Sequence, residues 1–406
     1  MIFRNCDIEK DIKQLEQVWK ECGWLEGKRD PLDEILKHTE SMVCELDGSA
    51  ECLVVPVAGN IRYQDKELDL NCIAGVTTGV VGRRQGIAGR LTAQVIAREA
   101  ERGAKVSCLG IFEQGFYNKL GFGNGKMDII SCFYPGDLNI PIKPRIPIRL
   151  TANDVEDMYY SRIRRLRGHG GVNLGKGLML MEIKYGKCFG LGYRDPDGKL
   201  GHHFFCRGLS KEHGPWRVEW IVYRNMKELQ ELLALMQGLG DQAYLIRMNE
   251  PPNIQIQDFL KKPLSHRAMS RRGEYEAASY SFAYWQMRMN DIPACFAAMS
   301  MNTEPVRFNL VLEDLIERFL TDSSYSWKGV SGKYIVTIGP ESAAEPGESP
   351  NLPTLTTTVN DLTRLWLGLK KASYLQIAGK MEAPESLIKA LDAAINLPLA
   401  EPDWLF

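Results

Sequence analysis

Residues 72–89 read CIAGVTTGVVGRRQGIAG, and they decide how the first third of the chain folds. The first half of this stretch is rich in small and β-branched residues, which is typical of a strand. The second half places Gly86, Ala88 and Gly89 at the start of a predicted helix. Residues this small leave the first backbone N–H groups of a helix accessible, and the positive end of the helix dipole attracts anions. With Arg83 and Arg84 beside them, they predict a strand, a phosphate-binding loop and a helix.

Regular patterns continue on both sides of this loop. Ile87, Leu91 and Val95 recur at four-residue steps, which predicts an amphipathic helix over 87–102. Strands are predicted near 41–58, 68–81 and 104–111, and another helix near 11–21. The alternation of strands and helices predicts a mixed α/β domain.

The composition restricts the class of protein. With 406 residues, 44% of them apolar and 25% charged, the chain is long enough for two or three domains with their own cores. Its 50 basic and 51 acidic residues leave a net charge of -1, so no overall field attracts nucleic acid or an anionic membrane. The longest apolar run, residues 294–299, is far shorter than the ~20 residues of a membrane span. The charged first residues do not form a secretory signal, and we expect a cytoplasmic protein.

Neither the cysteines nor the histidines have the spacing of a metal site. The ten cysteines are nowhere arranged as CxxC, and free thiols in apolar surroundings usually behave as small buried side chains. His202 and His203 are adjacent in a predicted strand, so their side chains point to opposite faces. The sequence therefore predicts no metal cofactor.

Turn-forming segments divide the chain into three predicted domains, 1–147, 148–283 and 284–406. Four prolines between residues 135 and 147 exclude a regular helix or central strand there. The second block repeats the strand and helix alternation of the first, but only Arg224 and Asn225 separate its VEWIVY strand from the next helix. A loop without glycines does not bring bare backbone amides to a phosphate, so this block is predicted to lack a cofactor site.

A second motif, GFYNKLGFG at residues 115–123, follows the loop by about thirty residues. Together the two motifs resemble those of the GNAT N-acetyltransferases. The Arg/Gln-x-x-Gly-x-Gly/Ala pattern of that superfamily matches Arg83, Gly86 and Ala88, and its Tyr-x-x-x-Gly-Phe pattern matches Tyr117 and the pair 121–122. A degenerate second repeat, a third domain similar to the sterol carrier fold, the length and the aromatic C-terminus extend the resemblance. The whole chain is similar to the Eis (enhanced intracellular survival) family.

The resemblance to the Eis family implies a fold and a reaction. The fold class is α/β (α+β), with tandem GNAT-like acetyltransferase folds followed by a sterol-carrier-protein-like domain whose C-terminal tail returns to the active site. The reaction is transfer of an acetyl group from acetyl-CoA, a cosubstrate, to a primary amine of an aminoglycoside-, polyamine- or lysine-like acceptor. The resemblance also implies a homo-oligomer, such as a hexamer, with no metal, nucleic-acid or membrane partner.

The same resemblance implies where acetyl-CoA would bind. The backbone of the strand before the loop would meet the acyl carbonyl and the pantetheine, at Val76, Thr77 and Thr78. The loop and the first helical turn would hold the pyrophosphate, through Arg84, Gln85, Gly86, Ile87, Ala88 and Gly89. Phe112 and Glu113 would contact the cofactor from the other side.

Acetylation of an amine needs a base for the amine and an acid for the departing thiolate. A primary amine with a pKa of ~10.4 is protonated at neutral pH, whereas a phenol with a pKa of ~10 still carries its proton. Tyr117 is the candidate acid, and a packed core aromatic is the alternative interpretation. The resemblance implies an unusual base, the C-terminal carboxylate of Phe406. The apolar end formed by Trp404, Leu405 and Phe406 favours a buried tail, although chain ends usually fray.

Two other functions stay open at the level of sequence. They are a longer-chain acyl-CoA N-acyltransferase and a non-enzymatic lipid- or protein-binding module built around the third domain. A basic run is interpreted as a solvated helix face or as intersubunit salt bridges, and consists of Arg162, Arg164, Arg165 and Arg167. Aromatic residues that could line an amine pocket are interpreted as core packing, and are Trp19, Trp24, Trp216 and Trp220.

Overall fold

The computed structural model describes residues 1–25, 29–111, 113, 115–184, 188–208, 213–262, 273 and 275–404. In chain order its elements begin with β1 (Ile2–Asn5), α1 (Ile8–Glu21), α2 (Asp30–Lys37), β2 (Met42–Leu46), β3 (Ser49–Tyr63), β4 (Lys66–Thr78), α3 (Ile87–Glu101), β5 (Val106–Gly110), a 3-10 helix (Tyr117–Leu120), β6 (Gly123–Asn124) and β7 (Met127–Phe133). They continue with β8 (Ile148–Leu150), α4 (Val155–Ile163), β9 (Val172–Leu174), α5 (Lys176–Lys184), β10 (Cys188–Arg194), β11 (Leu200–Gly208), β12 (Trp216–Val222), α6 (Met226–Gln237), β13 (Ile246–Asn249) and β14 (Ala278–Ala283). The last are β15 (Trp285–Met289), α7 (Ile292–Ala297), β16 (Val306–Glu313), β17 (Gly332–Ile338), β18 (Ala343–Pro346), β19 (Thr354–Thr358), α8 (Val359–Trp366), α9 (Ala372–Ile377), β20 (Met381–Glu382) and α10 (Glu385–Ala394). Among these described helices, none has the length and apolar character needed to span a membrane.

The starts of α3 and α6 differ in a way that matters for ligand binding. α3 follows Gly86, which has a left-handed φ of +72° and no side chain to cap the helix. α6 follows Asn225, whose side-chain oxygen accepts a hydrogen bond from the backbone N–H of Glu228 at 3.0 Å. Because the asparagine side chain already serves a free N–H group, the first turn of α6 offers less to an anion than that of α3.

The first sheet has the strand order β1-β2-β3-β4-β5-β15-β6, and β9 pairs with β3. β4 and β5 are parallel and paired over four residues, up to Ile73 opposite Leu109. Beyond this pair β4 continues to Thr78, whereas β5 ends at Gly110. The two strands therefore separate at their C-terminal ends, which is where open sheets with parallel strands bind ligands.

The second sheet has the order β14-β7-β13-β12-β11-β10-β8, and the third has the order β18-β17-β16-β19-β20. The mixed α/β class predicted from the sequence is confirmed. Sheet membership nevertheless crosses the predicted limits three times. β7 lies between β13 and β14 of the second sheet, β15 lies between β5 and β6 of the first, and β9 pairs with β3 of the first. Hydrogen bonding between strands does not follow chain order, so a linear division into 1–147, 148–283 and 284–406 needs these three exceptions and stays a proposal.

The blocks 1–147, 148–283 and 284–406 are called the first, second and third unit below. A buried ion pair joins the first sheet to the third unit. Arg288 on β15 donates to Asp314, with 2.6 Å between Nη2 and Oδ2, and both side chains have no exposed surface. Arg288 also donates to the carbonyl of Leu120, at the end of the 3-10 helix. A Cβ on the next residue, Gly121, would lie 2.6 Å from Nη1 of Arg288. The third unit thus fixes the end of the short helix that carries Tyr117.

Candidate active site

The separation of β4 from β5 leaves a gap at the C-terminal edge of the first sheet. Val76, Thr77 and Thr78 are the last residues of β4 and lie beyond its pairing with β5. Ile111, directly after β5, donates its N–H to the carbonyl of Tyr284 at 2.5 Å. The chain after β5 therefore continues to pair with the segment of β15 and not with β4, which leaves the end of β4 facing the gap on this side.

An irregularity bends the end of β4. The pairing of β3 with β4 shifts register between Leu53 and Val55. Gly75 has a φ of +58°, and a Cβ there would lie 2.7 Å from Cγ2 of Val55. Only glycine fits both the backbone conformation and the space. Such bulges bend a strand and are frequent beside binding sites, which is consistent with a ligand at the gap.

The start of α3 is open to an anion. Nothing lies within 4 Å of the position that a Cβ on Gly86 would take. Arg83, Arg84 and Gln85 are exposed, and Gln85 donates to the carbonyl of Val81 at 2.8 Å. No acidic residue lies in the first turn of this described helix. The free N–H groups, the helix dipole and the two arginines therefore all favour the binding of an anion at the start of α3.

The side chains of the first turn of α3 pack inside the protein. Ile87 is buried, and Ala88 is half-buried. A Cβ on Gly89 would lie 2.9 Å from Cε1 of Phe319, in the third unit. The two glycines are therefore required for different reasons. Gly86 adopts a left-handed backbone conformation, and Gly89 leaves room for the ring of Phe319. These residues can serve a ligand only through their backbone N–H groups.

Tyr117 is buried in an aromatic group, with 7% of its surface exposed. Its ring lies edge to face with Phe116 at 4.9 Å and with Phe122 at 6.2 Å between centroids. Burial raises the pKa of the Tyr117 hydroxyl to about 12, and Cys52 and Glu113 contribute to the rise. Within the described part of the chain, the hydroxyl has no hydrogen-bond partner. The phenol thus packs as a core aromatic does, while its hydroxyl proton is not donated to any described residue.

Cys52 connects the surroundings of Tyr117 to the end of β4. Its Sγ lies 3.4 Å from Oγ1 of Thr78, and the two residues are opposite each other in the β3–β4 pairing. Burial raises the pKa of this thiol to about 12, so it stays protonated at neutral pH. Cys52 is therefore a neutral part of the wall between Tyr117 and the gap.

Two of the predicted site residues, Phe112 and Phe406, lie outside the described residues. Glu113 is exposed. Trp404 is buried at 3% exposure, as the apolar composition of the tail predicts for it. Arg165 holds the tail by donating to the carboxylate of Asp403 at 2.7 Å and to its carbonyl at 2.9 Å. Over the ranges that the structure describes, no three His, Cys, Asp or Glu side chains are grouped as ligands for a metal ion.

A cavity of about 440 Å³ lies where this tail meets the second sheet. The interpretation of residues 162–167 as a solvated face or as intersubunit salt bridges is wrong for Arg162 and Arg165, which are only 2% and 6% exposed within one chain. Both line the cavity, together with Trp220 and Trp404. Sequence reasoning missed this cavity because its walls come from segments far apart in the chain. The one feature of the sequence that pointed to this cavity was the combination of the basic run at residues 162–167 with the apolar residues near residue 404.

Comparison with protein families identifies two of the three units. Residues 7–125 match the model of an acetyltransferase (GNAT) domain, and residues 320–402 match the model of a sterol carrier protein domain. Residues 7–125 therefore form a GNAT acetyltransferase domain, and the protein is an acyltransferase. The GNAT match contains both motifs from which the sequence predicts this superfamily. The comparison with curated proteins finds no match.

Solved structures share the fold of this acyltransferase over nearly its whole length. A probable N-acyltransferase from Enterococcus faecalis V583 is 14% identical, with a TM-score of 0.78 and 98% of each chain covered. A GCN5-related N-acetyltransferase from Anabaena variabilis is 15% identical with a TM-score of 0.79, and Eis1 from Mycobacterium abscessus is 15% identical with a TM-score of 0.76, each covering 100% of both chains. At these identities the likeness establishes the fold. The predicted class of tandem GNAT-like folds followed by a sterol-carrier-protein-like domain is confirmed.

Proposed function

We propose that this acyltransferase moves an acetyl group from acetyl-CoA to a primary amine. The observation that carries the proposal is the gap between β4 and β5 beside the uncapped start of α3. A thioester with a pantetheine arm needs an extended groove with backbone partners, and a pyrophosphate needs free N–H groups. The two features lie next to each other along one chain segment, 76–89.

The fit of acetyl-CoA rests on space as well as on charge. The open position at Gly86 leaves room for phosphate oxygens against the first turn of α3. Arg84 has a positive φ of +62°, and its exposed side chain extends from the same loop. Val76, Thr77 and Thr78 would bind the acyl arm through their backbone, on the side of β4 that β5 leaves free. Acetyl-CoA supplies the activated acyl group, and the chain supplies binding and proton transfer.

Tyr117 would act as the general acid in this proposal. Its raised pKa keeps the hydroxyl protonated at neutral pH, so it can donate to the departing thiolate. The C-terminal carboxylate of Phe406 would act as the base that takes a proton from the amine. The support for this role is the anchored end of the tail at Asp403 and Trp404, which lies two residues before the terminus.

A binding experiment tests the cofactor site. Replacing Gly86 by leucine adds a side chain where phosphate would sit, and we expect acetyl-CoA affinity measured by calorimetry to fall by at least 10-fold, since several charge-assisted hydrogen bonds are lost. Gly379→Leu is the matched control, because Gly379 has a φ of +67° and equally open surroundings in the third unit. Unchanged affinity in a folded Gly86→Leu protein would refute this site.

A further inference from the structure

The short helix that carries Tyr117 depends on its surroundings for its direction. It spans Tyr117–Leu120, a single turn, and no described side chain caps its start. It stops at Gly121, which has a left-handed φ of +85°. The hydrogen bonds of a 3-10 turn are weak, and short isolated helices are unstable in water. The groups that pack on this turn from outside therefore set the direction of the Tyr117 ring.

One of these groups is the side chain of Asn360, in the third unit. Asn360 is the second residue of α8, and 8% of its surface is exposed. Its Nδ2 donates to the carbonyl of Asn118 at 2.8 Å and to the carbonyl of Phe122 at 2.9 Å. These two carbonyls lie on either side of Gly121. A single amide group thus joins the short helix to the residue that precedes β6.

The two carbonyls do not depend on Asn360 for their own hydrogen bonding. The carbonyl of Asn118 also accepts the N–H of Gly121 at 3.1 Å, and that of Phe122 also accepts Nδ2 of Asn118 at 2.8 Å. Without the Asn360 amide, neither carbonyl would be left unpaired. The two bonds from Asn360 therefore fix where the turn lies and do not rescue a buried polar group.

The oxygen of the Asn360 amide supports the same conclusion. Among the residues that the structure describes, Oδ1 of Asn360 is a buried atom with no hydrogen-bond partner, which is unfavourable. Asn309, also buried in the third unit, differs: its Nδ2 donates to the carbonyls of Ser349 and Leu352, and its Oδ1 accepts the N–H of Ser349. Asn309 is a satisfied structural asparagine. Asn360 leaves half of its amide unsatisfied, which is typical of residues with a role other than stability.

α8 is a firm support for the Asn360 side chain. At its far end Trp366 is buried, and its ring stacks on Tyr63 of β3 with 4.1 Å between centroids. The Tyr63 hydroxyl donates to the carbonyl of Trp366 at 2.7 Å. At its near end, a Cβ on Gly121 would lie 2.8 Å from Cγ1 of Val359. α8 is thus packed against both the first sheet and the end of the short helix.

We propose that Asn360 is a positioning residue, which holds the turn of Tyr117 so that the phenol faces the end of β4 beside Cys52 and Thr78. The third unit then contributes to acetyl transfer by fixing the acid. This inference rests on the proposed role of Tyr117 as the general acid. Asn360 contacts neither acetyl-CoA nor the amine, and it acts through Tyr117 alone.

The placement of Tyr117 can be measured without turnover. The full-length protein is labelled with fluorotyrosine, and the Tyr117 signal in the fluorine NMR spectrum is assigned by its loss in Tyr117→Phe. We expect Asn360→Ala to shift or broaden this signal, because a turn that is no longer held samples several positions. Asn309→Ala is the matched control and should leave the signal in place. An unchanged signal in folded Asn360→Ala overturns the inference.

Thermal unfolding distinguishes positioning from a structural role. Asn360→Ala should lose no more stability than Asn309→Ala, since Asn309 makes more hydrogen bonds. Asn360→Leu keeps the volume of the side chain and removes both donors, so it should change the Tyr117 signal without leaving a cavity. A much larger fall in the unfolding temperature of both Asn360 variants than of Asn309→Ala would assign Asn360 a structural role and overturn the inference.

Turnover tests whether Asn360 acts through the phenol. Asn360→Ala should lower kcat by about 10- to 100-fold with acetyl-CoA affinity unchanged, because an error of ~1 Å can cost ~10²-fold in positioned catalysis. In a Tyr117→Phe background the same substitution should have no further effect on kcat, since no hydroxyl is left to position. An equal fall of kcat in both backgrounds overturns the inference.

The two readouts separate this inference from the proposed function. If Asn360→Ala changes the Tyr117 signal but Tyr117→Phe keeps the wild-type kcat, Asn360 fixes Tyr117 and the proposed general acid is wrong. If Tyr117→Phe lowers kcat and Asn360→Ala changes neither the signal nor kcat, the acid stands and the role of Asn360 is wrong. If the wild type acetylates no amine, the proposed acetyl transfer is wrong, and the fluorine signal still decides whether Asn360 fixes Tyr117.

Discussion

At the scale of single residues, Tyr117 illustrates how one side chain can satisfy two interpretations. Its ring packs against Phe116 and Phe122, as a core aromatic does. Its hydroxyl, however, has no partner among the described residues and is not one of their fully buried polar atoms. A hydroxyl placed in this way is suited to a partner that arrives with the substrate.

Replacing Tyr117 by phenylalanine tests its role as general acid. We expect kcat to fall by about 10²- to 10⁴-fold with acetyl-CoA affinity unchanged, because the proton donor is lost and the ring packing is kept. Tyr193→Phe is the matched control, since Tyr193 is also buried and burial also raises its pKa to about 12. If Tyr117→Phe has the wild-type kcat under conditions in which chemistry limits the rate, Tyr117 is a packed core aromatic and not the general acid.

The pH profile of the wild type supplies a second test of Tyr117. A general acid works in its protonated form, so activity is present below its pKa and is lost as pH rises through it. Because burial raises the pKa of Tyr117 to about 12, kcat should not fall around pH 10, where a solvated phenol deprotonates. Loss of kcat near pH 10 that disappears in Tyr117→Phe would contradict the buried state of the acid.

At the scale of secondary-structure elements, α3 links the cofactor loop to the third unit. Its first turn meets Phe319, and Arg90 lies 3.5 Å from Asp322 in an exposed ion pair. The exposed pair contributes little, so the packing of Phe319 on Gly89 is the contact that fixes the start of the helix. The third unit thereby positions the N–H groups proposed to bind pyrophosphate.

Gly89→Ala tests this packing. Alanine is normally the better helix former by about 1 kcal/mol, yet its Cβ would clash with Phe319, and overpacking costs about 1–3 kcal/mol. We expect the variant to lose stability in urea unfolding and to bind acetyl-CoA more weakly. In a Phe319→Ala background the same change should be neutral or stabilising. Equal effects of Gly89→Ala in both backgrounds would show that the two residues are not coupled.

At the scale of the whole molecule, three sheets are connected by exchanged strands, a buried ion pair and the tail. β7 and β15 each join the sheet of a neighbouring unit. Arg165 and the two indoles around Arg162 hold residues 403–404 against the second unit. The proposed site therefore depends on all three units, although the GNAT match covers only residues 7–125.

Changes at the chain end test the proposed base. Deleting Phe406 moves the terminal carboxylate by one residue, ~3.5 Å of chain, and a C-terminal tag moves it further. Since an error of ~1 Å can cost ~10²-fold in positioned catalysis, turnover should fall by at least that factor with acetyl-CoA affinity unchanged. The same tag at the N-terminus is the control. Equal turnover of untagged, deleted and C-terminally tagged protein would place the base elsewhere.

The sequence by itself determined the elements whose causes are local. The four-residue period of Ile87, Leu91 and Val95 predicts a helix over 87–102, and the observed helix is Ile87–Glu101. The two motifs predict a GNAT domain, which the family match confirms. Helix periodicity and turn-forming glycines act within a few residues, so they can be interpreted without knowing what lies nearby in space.

Only the tertiary structure decided which distant segments meet. The pairing of Trp285 with Gly110 and the contact of Gly89 with Phe319 join residues far apart in the chain. Arg162 belongs to a basic run that is typical of a solvated helix face, yet it packs on two indoles from separate units. Burial is set by what packs against a residue, and strand pairing is set by the geometry of a whole sheet. Neither is encoded in the local pattern, which is why the cavity and the set of residues that line it appear only in the folded chain.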